Sequence, residues 1–238
     1  MNKAIIIGAS SGIGRELAKI LSKEKYVIGL AARRNELLLE LQRELHTKSY
    51  VKIIDISKQD EAMGKLAELI NEMDGVDLII ITSGIDHINK ELNWDKERET
   101  IDVNVTGVTS MINVSLKHFL EKDFGQLVVI SSIGCLRGNR EAPAYNASKA
   151  YISNYLDGIS YKIKKDKANI TITDVRPGLV DTDMAKGEGL FWVQSPKKVA
   201  FQIYKKIKQK KRVAYVTKRW GIIAFLIKHM PDWIYYRI

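Results

Sequence analysis

The chain alternates short apolar runs with amphipathic segments of helical length, and this alternation limits the possible fold more than any other feature. Seven runs rich in β-branched residues span residues 3–7, 26–31, 50–55, 77–82, 126–131, 169–175 and 212–217. The amphipathic segments span residues 12–24, 35–47, 58–73, 95–120, 143–165 and 196–210. Strands separated by helices form βαβ units, so we predict an α/β fold with a doubly wound parallel sheet of about seven strands and helices on both faces.

The length and composition of the chain fit a single domain. Its 238 residues are 45% apolar, and no proline-rich or glycine-rich linker divides them. We expect residues 1–218 to form the domain. Residues 219–238 are apolar and aromatic and follow a basic stretch. We expect this extension to pack on protein, either on the domain or at a subunit interface; contact with a membrane surface is the alternative.

Charge and cysteine content limit the partners. The formal net charge is +10, and much of it lies between residues 205 and 219. We interpret this cluster as a solvated helix face, because no nucleic-acid-binding motif and no zinc-ligand spacing accompany it. Cys135 is the single cysteine, which excludes an intramolecular disulfide. With no signal-peptide pattern and no apolar run of the ~18 residues that a membrane span needs, we expect a cytoplasmic protein that binds neither metal nor nucleic acid.

A glycine-rich turn joins the first strand to the first helix. The sequence Gly-Ala-Ser-Ser-Gly-Ile-Gly begins at Gly8, directly after the β-branched run that ends at Ile7. Glycines let a backbone approach a phosphate closely, and the free N–H groups of the following helix favour a pyrophosphate. We therefore predict a dinucleotide-binding turn that consists of Gly8, Ser10, Ser11, Gly12, Ile13 and Gly14.

The end of the second strand favours NADP(H) over NAD(H). In dinucleotide-binding folds an acidic residue near this point binds the ribose hydroxyl of NAD, whereas an arginine accommodates the 2′-phosphate of NADP. This chain has Ala32 and then Arg33, whose guanidinium suits a phosphate. In the alternative interpretation, Arg33 and Arg34 are solvated surface charges.

Tyr145 and Lys149 lie four residues apart in a segment with helical periodicity, with Ser132 thirteen residues before Tyr145. Residues four apart share one face of a helix. Tyrosine titrates near pH 10, and a neighbouring ammonium lowers its pKa toward the range in which it can act as a base. We predict acid–base catalysis by Tyr145, with Lys149 lowering its pKa and Ser132 orienting a carbonyl oxygen.

Together these motifs resemble the short-chain dehydrogenase/reductase family in its compact form. The resemblance spans roughly residues 3 to 200 and rests on the glycine turn, Asp55-Ile56, Asn104, Ser132, Tyr145-x3-Lys149 and Pro177-Gly178. It implies a Rossmann-type domain, a nicotinamide cofactor and a carbonyl or secondary alcohol as substrate. It also implies a homodimer or homotetramer that assembles through the segments at 95–120 and 143–165.

The resemblance carries over further roles. Asp55 and Ile56 would close the third strand and face the adenine, although Asp55 could instead cap the next helix. Asn104 would kink its helix and hold a water that links Lys149 to solvent. Lys149 would also bind the nicotinamide ribose.

The last cofactor contacts implied by the resemblance follow the fourth and sixth strands. Thr82-Ser83-Gly84 stands where the family usually has Asn-Ala-Gly, and Ile7 replaces a usual threonine. We expect these departures to alter local packing, with Ser83 and Gly84 still at the cofactor.

After the sixth strand, Pro177 and Gly178 would turn the chain so that Val180 contacts the nicotinamide amide and Thr182 contacts the pyrophosphate. Residues 183–195 would form an apolar lid that includes Met184, Leu190, Phe191 and Trp192.

Two alternatives to this reductase remain open. One is a dinucleotide-binding sensor or scaffold without catalysis, which the complete set of Ser132, Tyr145 and Lys149 disfavours. The other is a reductase that acts at a membrane surface on lipid-like carbonyls and is anchored by residues 219–238.

Overall fold

A computed structural model of the chain describes residues 2–182 and 192–237, apart from the side chain of Lys218. Seven parallel strands form one sheet in the order β3-β2-β1-β4-β5-β6-β7. The strands are β1 (Lys3–Ile7), β2 (Val27–Ala32), β3 (Ser49–Ile53), β4 (Leu78–Ile81), β5 (Gly125–Ile130), β6 (Ile170–Pro177) and β7 (Val213–Val216). The predicted doubly wound α/β sheet is therefore confirmed.

Helices lie on both faces of the sheet. They are α1 (Gly12–Lys23), α2 (Asn35–Glu44), α3 (Gln59–Glu72), α4 (Trp94–Ile101), α5 (Val108–Lys122), α6 (Pro143–Lys165), α7 (Pro196–Lys208), α8 (Lys218–His229) and α9 (Asp232–Tyr235). Among the described residues, no helix combines the length and the apolar character that crossing a bilayer requires.

The core has two layers because successive strand residues point to opposite faces of the sheet. Ile5 and Ile7 belong to the cluster shared with α3, α5 and α6, whereas Ala4 and Ile6 belong to the cluster shared with α1, α2 and α7. All four side chains have no exposed surface. Burial on both faces explains why these strands read as continuous apolar runs in the sequence.

The strand order reverses at β1, which pairs with β2 on one side and β4 on the other. The chain therefore leaves β1 in one direction and returns to its other edge only after β3. Such a reversal opens a crevice at the carboxyl ends of the central strands, where ligands bind in open α/β sheets.

Most predicted elements match to within a residue or two at their ends, and two differences concern the site. The third strand ends at Ile53, so Asp55 and Ile56 lie beyond it, and the sixth strand continues to Pro177. The single helix predicted over 95–120 is divided into α4, a π-helical turn at Asp102–Gly107, and α5. Asn104 lies in this turn, where the wider backbone spiral marks an interruption that hydrophobic periodicity does not reveal.

The C-terminal segment folds as α8 and α9. Trp220 and Ala224, four residues apart, form the buried side of α8. The Trp220 indole occupies the space that a side chain at Gly178 would need, since a Cβ built there lies 2.1 Å from the ring. The start of α8 is thereby fixed against the turn that follows β6.

Candidate functional site

A crevice of about 590 Å³ lies at the carboxyl ends of the strands. It brings together almost every residue that the sequence singled out. Its lining includes Gly8, Ser10, Ser11, Gly12, Ile13, Gly14, Arg33, Asp55, Ile56, Ser83, Gly84, Ser132, Tyr145, Lys149, Pro177, Gly178, Val180 and Thr182. Asn104 is the exception, because it lies behind the crevice wall and does not line it.

The glycine turn is shaped for close backbone approach. Gly8 has a φ of +95°, which L side chains rarely adopt, and a Cβ there would lie 2.5 Å from the Thr82 hydroxyl oxygen. A Cβ at Gly14 would lie 2.3 Å from the Gly8 carbonyl oxygen. The first turn of α1 carries no acidic residue, so its N–H groups keep their attraction for an anion. The turn thus fits a pyrophosphate.

Thr82, where the family usually has asparagine, holds this turn in place. Its hydroxyl donates to the carbonyl oxygens of Ile7 at 3.0 Å and Gly8 at 3.1 Å. The hydroxyl thereby joins the end of β4 to the start of the glycine turn. The threonine at position 82 therefore fits this site, because its hydroxyl bonds directly to the backbone of Ile7 and Gly8.

Arg34 is a site residue that the sequence prediction did not name as a cofactor contact. Its guanidinium donates to the hydroxyls of Ser10 at 3.1 Å and Ser11 at 2.7 Å. Arg33 is exposed and lines the same crevice. Two guanidinium groups therefore stand at the end of β2 beside the glycine turn, where Ala32 provides no carboxylate.

The remaining cofactor candidates lie at opposite ends of the crevice. Asp55 accepts hydrogen bonds from the backbone N–H of Ser57 at 3.1 Å and from its hydroxyl at 2.8 Å, so it caps a turn before α3. Val180 is buried after β6, and the Thr182 methyl carbon lies 3.2 Å from where a Cβ at Gly12 would stand. Thr182 thus covers the glycine turn.

Tyr145 and Lys149 lie on the first two turns of α6, with the Lys149 ammonium nitrogen 5.4 Å from the centre of the Tyr145 ring. Lys149 is buried and donates to the Ile130 carbonyl oxygen at 3.4 Å, whereas Tyr145 is partly exposed in the crevice. Burial lowers the pKa of Lys149 to about 8. The α-helical spacing therefore brings the two groups together as predicted.

The expected lowering of the tyrosine pKa is wrong. Loss of water around the phenol, with a smaller contribution from the Asp86 carboxylate, raises the pKa of Tyr145 to about 12. A hydrogen bond with the Ser132 side chain opposes this rise. Desolvation is the largest cause of this shift, and sequence spacing alone does not reveal it.

Asp86 is a second residue that the sequence prediction missed. It lines the crevice two residues after Gly84, and its Oδ1 atom is buried with no hydrogen-bond partner among residues 2–182 and 192–237. Burial raises the pKa of this carboxyl, while Lys149 opposes the rise. Its electrostatic influence reaches both Tyr145 and Lys149. The sequence shows an acidic residue two positions after Gly84, but no motif or periodicity indicates that its side chain lies in the crevice.

Ser132 and its neighbour Ser131 have different partners. The Ser131 hydroxyl bonds to buried Asp174 and to the Val175 carbonyl oxygen at 3.1 Å. Ser132 caps the short turn Ile133–Leu136, accepting from the backbone N–H of Gly134 at 3.0 Å. The Ser132 hydroxyl therefore keeps its proton to donate, which supports the choice of Ser132 over Ser131.

A buried carboxylate ties this part of the site together. Asp174 on β6 accepts from the hydroxyl of Ser131 at the end of β5, from the Ser153 hydroxyl on α6 at 2.7 Å and from Arg176 Nε at 2.7 Å. Ser131 adjoins Ser132, and Ser153 lies one turn after Lys149. The Asp174 side chain thus connects the end of β5, which leads to Ser132, with helix α6, which carries Tyr145.

Asn104 supports the crevice wall from behind. Its amide exchanges two hydrogen bonds of 2.8 Å with the backbone of Ile85 and donates to the Ser148 hydroxyl at 3.2 Å. A Cβ at Gly84 would lie 3.3 Å from the Asn104 amide oxygen and 3.2 Å from the Lys149 nitrogen. A side chain at Gly84 would therefore crowd both Asn104 and Lys149.

Most of the predicted lid, including Met184, Leu190 and Phe191, lies outside the described residues. Trp192 is described and about half exposed, with the Arg219 guanidinium 5.6 Å from its ring. Within residues 2–182 and 192–237, no group of three histidine, cysteine or acidic side chains is arranged to hold a metal ion.

The fold and the crevice define a dinucleotide-binding α/β protein with a serine, a tyrosine and a lysine at the inner end of its site. A family model described as short chain dehydrogenase matches residues 2–190. The chain therefore belongs to the short-chain dehydrogenase/reductase family and is an oxidoreductase of the kind that uses a nicotinamide dinucleotide.

Individual relatives agree with this assignment. An uncharacterized oxidoreductase of Myxococcus xanthus is 30% identical over 186 residues, covering 76% of this chain and 73% of the relative. An uncharacterized oxidoreductase of Staphylococcus epidermidis is 28% identical over 188 residues, covering 77% and 80%. Neither name states a substrate.

Solved structures confirm the Rossmann-type fold. An alcohol dehydrogenase from the archaeon Thermococcus sibiricus, complexed with 5-hydroxy-NADP, superposes with a TM-score of 0.76 at 24% identity, covering 91% of this chain and 95% of that one. ElxO with NADP bound superposes with a TM-score of 0.79 at 19% identity, covering 90% and 96%. At these identities the likeness concerns the fold.

Proposed function

We propose that this protein is an NADP(H)-dependent reductase that converts a carbonyl group to a secondary alcohol, or catalyses the reverse reaction. The observation that carries the proposal is the convergence of Ser132, Tyr145 and Lys149 on the crevice that also contains the glycine turn. A nicotinamide cofactor bound along this crevice would supply or accept the hydride. The residues of the chain position the reactants and move the proton.

Tyr145 is the proton donor in this proposal. With its pKa raised to about 12, the phenol remains protonated near neutral pH and can donate to a carbonyl oxygen as negative charge develops there. The Ser132 hydroxyl donates a hydrogen bond to the same oxygen and stabilises that charge. In the reverse direction the phenolate accepts the proton of the alcohol.

Lys149 and Asn104 have supporting roles. The Lys149 ammonium favours the phenolate that remains once Tyr145 has given up its proton, and its place beside Gly84 suits contact with the ribose of the cofactor. Asn104 is a positioning residue, because its hydrogen bonds to the backbone of Ile85 fix the loop that covers Lys149. By resemblance to the family, Asn104 would also hold a water that links Lys149 to solvent.

The proposed preference for NADP(H) rests on Arg33 and Arg34. Both line the crevice at the end of β2, where Ala32 provides no carboxylate. A 2′-phosphate there would meet two guanidinium groups. Two solved structures of the same fold contain NADP-type ligands, in agreement with this proposal. NAD(H) is the less favoured cofactor.

The proposal is tested by following NADPH and, separately, NADH consumption over a panel of aldehydes, ketones and diketones. We expect turnover with NADPH. The Tyr145→Phe variant should lose about 100- to 10,000-fold in kcat, since it lacks the proton donor, while it still binds NADPH by fluorescence titration. Full activity in Tyr145→Phe contradicts the mechanism. Absence of turnover in the unmodified protein, with cofactor bound, indicates the sensor instead.

The same assay separates the two cofactors. The double variant Arg33→Gln, Arg34→Gln should bind NADPH about 10- to 100-fold more weakly and leave NADH binding unchanged, because hydrogen bonds to a charged group are lost. Arg140→Gln, on an exposed loop away from the crevice, is the control. Equal weakening of both cofactors would mean that the arginines do not recognise the 2′-phosphate.

A further inference from the structure

The outer side of the C-terminal segment carries an exposed apolar surface. Ile222, Phe225 and Leu226 lie three and four residues apart on the same side of α8, opposite the buried Trp220 and Ala224. Trp233 and Tyr236 add two aromatic rings at α9. We call these five exposed side chains the apolar patch; their exposures range from 55% to 80% and they are Ile222, Phe225, Leu226, Trp233 and Tyr236.

The segment that carries the patch is held firmly on the domain. Arg137, just after the turn that Ser132 caps, pairs with Asp232 at 2.7 Å and donates to the Met230 carbonyl oxygen. The Tyr235 hydroxyl donates to the Gly138 carbonyl oxygen at 2.6 Å, and Arg137 lies 4.8 Å from the centre of the Tyr235 ring. Since α8 and α9 are anchored on their inner sides, the patch is a fixed surface and not an unpacked end.

The charges around the patch are almost all positive. The exposed cations are Arg219, Lys228 and Arg237, and the Arg237 guanidinium lies 5.9 Å from the centre of the Trp233 ring. From residue 213 onward Asp232 is the single acidic residue, and its charge is paired with Arg137. The patch thus combines aliphatic and aromatic side chains with exposed cations on the same segment. This is the composition of an element that lies in the interface of an anionic membrane.

The charge also argues against a second copy of this chain as the occupant. In a two-fold interface the same surface meets itself, so the cations around one patch would face those around the other. An anionic lipid surface is complementary to both parts of the patch. Trp233 and Tyr236 would lie among the headgroups, where aromatic rings are enriched.

We propose that the apolar patch binds the surface of a bilayer that contains anionic lipid. The bound segment lies in the interface and does not cross it, as the length of α8 requires. Because α8 contacts Gly178 and α9 contacts the chain after Ser132, binding holds the catalytic crevice at a fixed position relative to the membrane. The inference is independent of which carbonyl compound is reduced.

The test is co-sedimentation of the purified full chain with vesicles of phosphatidylcholine alone and with vesicles that also contain phosphatidylglycerol. We expect binding to the mixed vesicles that weakens as salt is added, and much weaker binding to phosphatidylcholine alone. Phe225→Ser, Leu226→Ser should reduce binding more than tenfold. Lys228→Gln should reduce binding to the mixed vesicles about fivefold, since one cation near an anionic surface is removed.

The matched control is Leu92→Ser, Trp94→Ser. These two side chains are exposed to 65% and 63%, as much as those of the patch, but they lie among Glu91, Asp95, Glu97 and Glu99. This control should bind vesicles as the unmodified chain does. Thermal unfolding and NADPH binding of every variant establish that it is folded, without reliance on turnover.

Three results would overturn the proposal. One is failure of the unmodified chain to bind either kind of vesicle. Another is vesicle binding that the Phe225→Ser, Leu226→Ser variant retains in full. The third is a dimer, seen by light scattering, that this variant converts to a monomer while neither protein binds vesicles; the patch would then be an interface between two copies.

Discussion

At the scale of single residues, the site is dominated by the loss of water around two ionisable groups. Sequence spacing correctly placed an ammonium beside a phenol and suggested that the charge would lower the tyrosine pKa. Burial instead moves both groups toward their neutral forms, with the pKa of Tyr145 raised to about 12 and that of Lys149 lowered to about 8. Spacing gives neighbours along a helix, whereas desolvation depends on everything else that packs around them.

The buried ammonium makes a prediction about stability. Lys149→Met should raise the free energy of unfolding near neutral pH by about 1–3 kcal/mol, because an apolar side chain of similar length replaces a charge that burial disfavours. The lysine pKa is about 8 in the folded chain and 10.5 unfolded. Below about pH 8 both states hold the proton and the full penalty applies; the penalty fades as pH rises to about 10.5.

Urea unfolding of the two proteins near pH 7 and near pH 10 measures this difference. The gain from Lys149→Met should be large at the lower pH and small at the higher one. Lys164→Met, at an exposed position on the same helix, should change stability by less than about 0.5 kcal/mol. A less stable Lys149→Met protein at the lower pH would show that the ammonium is stabilising.

Asp86 makes a prediction about pH dependence. Its carboxylate raises the pKa of both Tyr145 and Lys149, so Asp86→Asn should lower both. The profile of kcat/KM for alcohol oxidation, in which the phenolate acts as base, should therefore move to lower pH. Asp181→Asn, which neutralises another carboxylate of the crevice that does not influence these two groups, should leave the profile in place. A shift to higher pH would contradict this assignment.

At the scale of elements, local patterns in the sequence predicted the strands and the glycine turn, but not the features that depend on contacts between distant residues. Strands buried on both faces, such as Ile5 to Ile7, were recognised from β-branched runs, and the glycine turn from its position between strand and helix. The resemblance predicted a kink at Asn104, whereas hydrophobic periodicity did not reveal it; the Asn104 amide bonds to the backbone of Ile85, nineteen residues away, which no local pattern shows. Arg34 was missed for a similar reason, since it reaches back to serines on another loop.

The contact between α8 and the turn after β6 makes a prediction at this scale. Gly178→Ala should destabilise the protein by about 1–3 kcal/mol, because the added methyl group would overlap the Trp220 ring. Gly158→Ala, on α6 with nothing within 4 Å of the added methyl group, should instead stabilise by about 0.5–1 kcal/mol. Thermal and urea unfolding compare the two. Equal stability of both variants would mean that α8 moves away from Gly178 without cost.

At the scale of the whole molecule, further apolar surface remains on the outer side of the sheet. Tyr151 and Tyr161 on α6 are exposed, and so is Leu120 on α5. The stacked rings of Tyr151 and Tyr155 have their centres 5.8 Å apart. Exposed apolar side chains on α5 and α6 are typical of a subunit interface, and these are the segments through which the resemblance predicts that a homodimer or homotetramer assembles.

This face makes a prediction about assembly. We expect light scattering to give the mass of a dimer or tetramer, and Tyr151→Glu, Tyr161→Glu to give smaller species, because a buried carboxylate without a partner is strongly unfavourable. Phe225→Ser, Leu226→Ser on α8 should leave the mass unchanged. Retention of the full mass by the tyrosine variant would place the interface elsewhere.

The position of Asp174 has a consequence for changing what such an enzyme accepts. This carboxylate holds the strand that ends before Ser132 and the helix that bears Tyr145, yet it does not line the crevice. The frame that positions the proposed proton donor is therefore separate from the crevice wall. We expect substitutions at wall positions such as Ile133 and Leu179 to change what the crevice accepts while the reactive groups stay in place, provided that Asp174 is left alone.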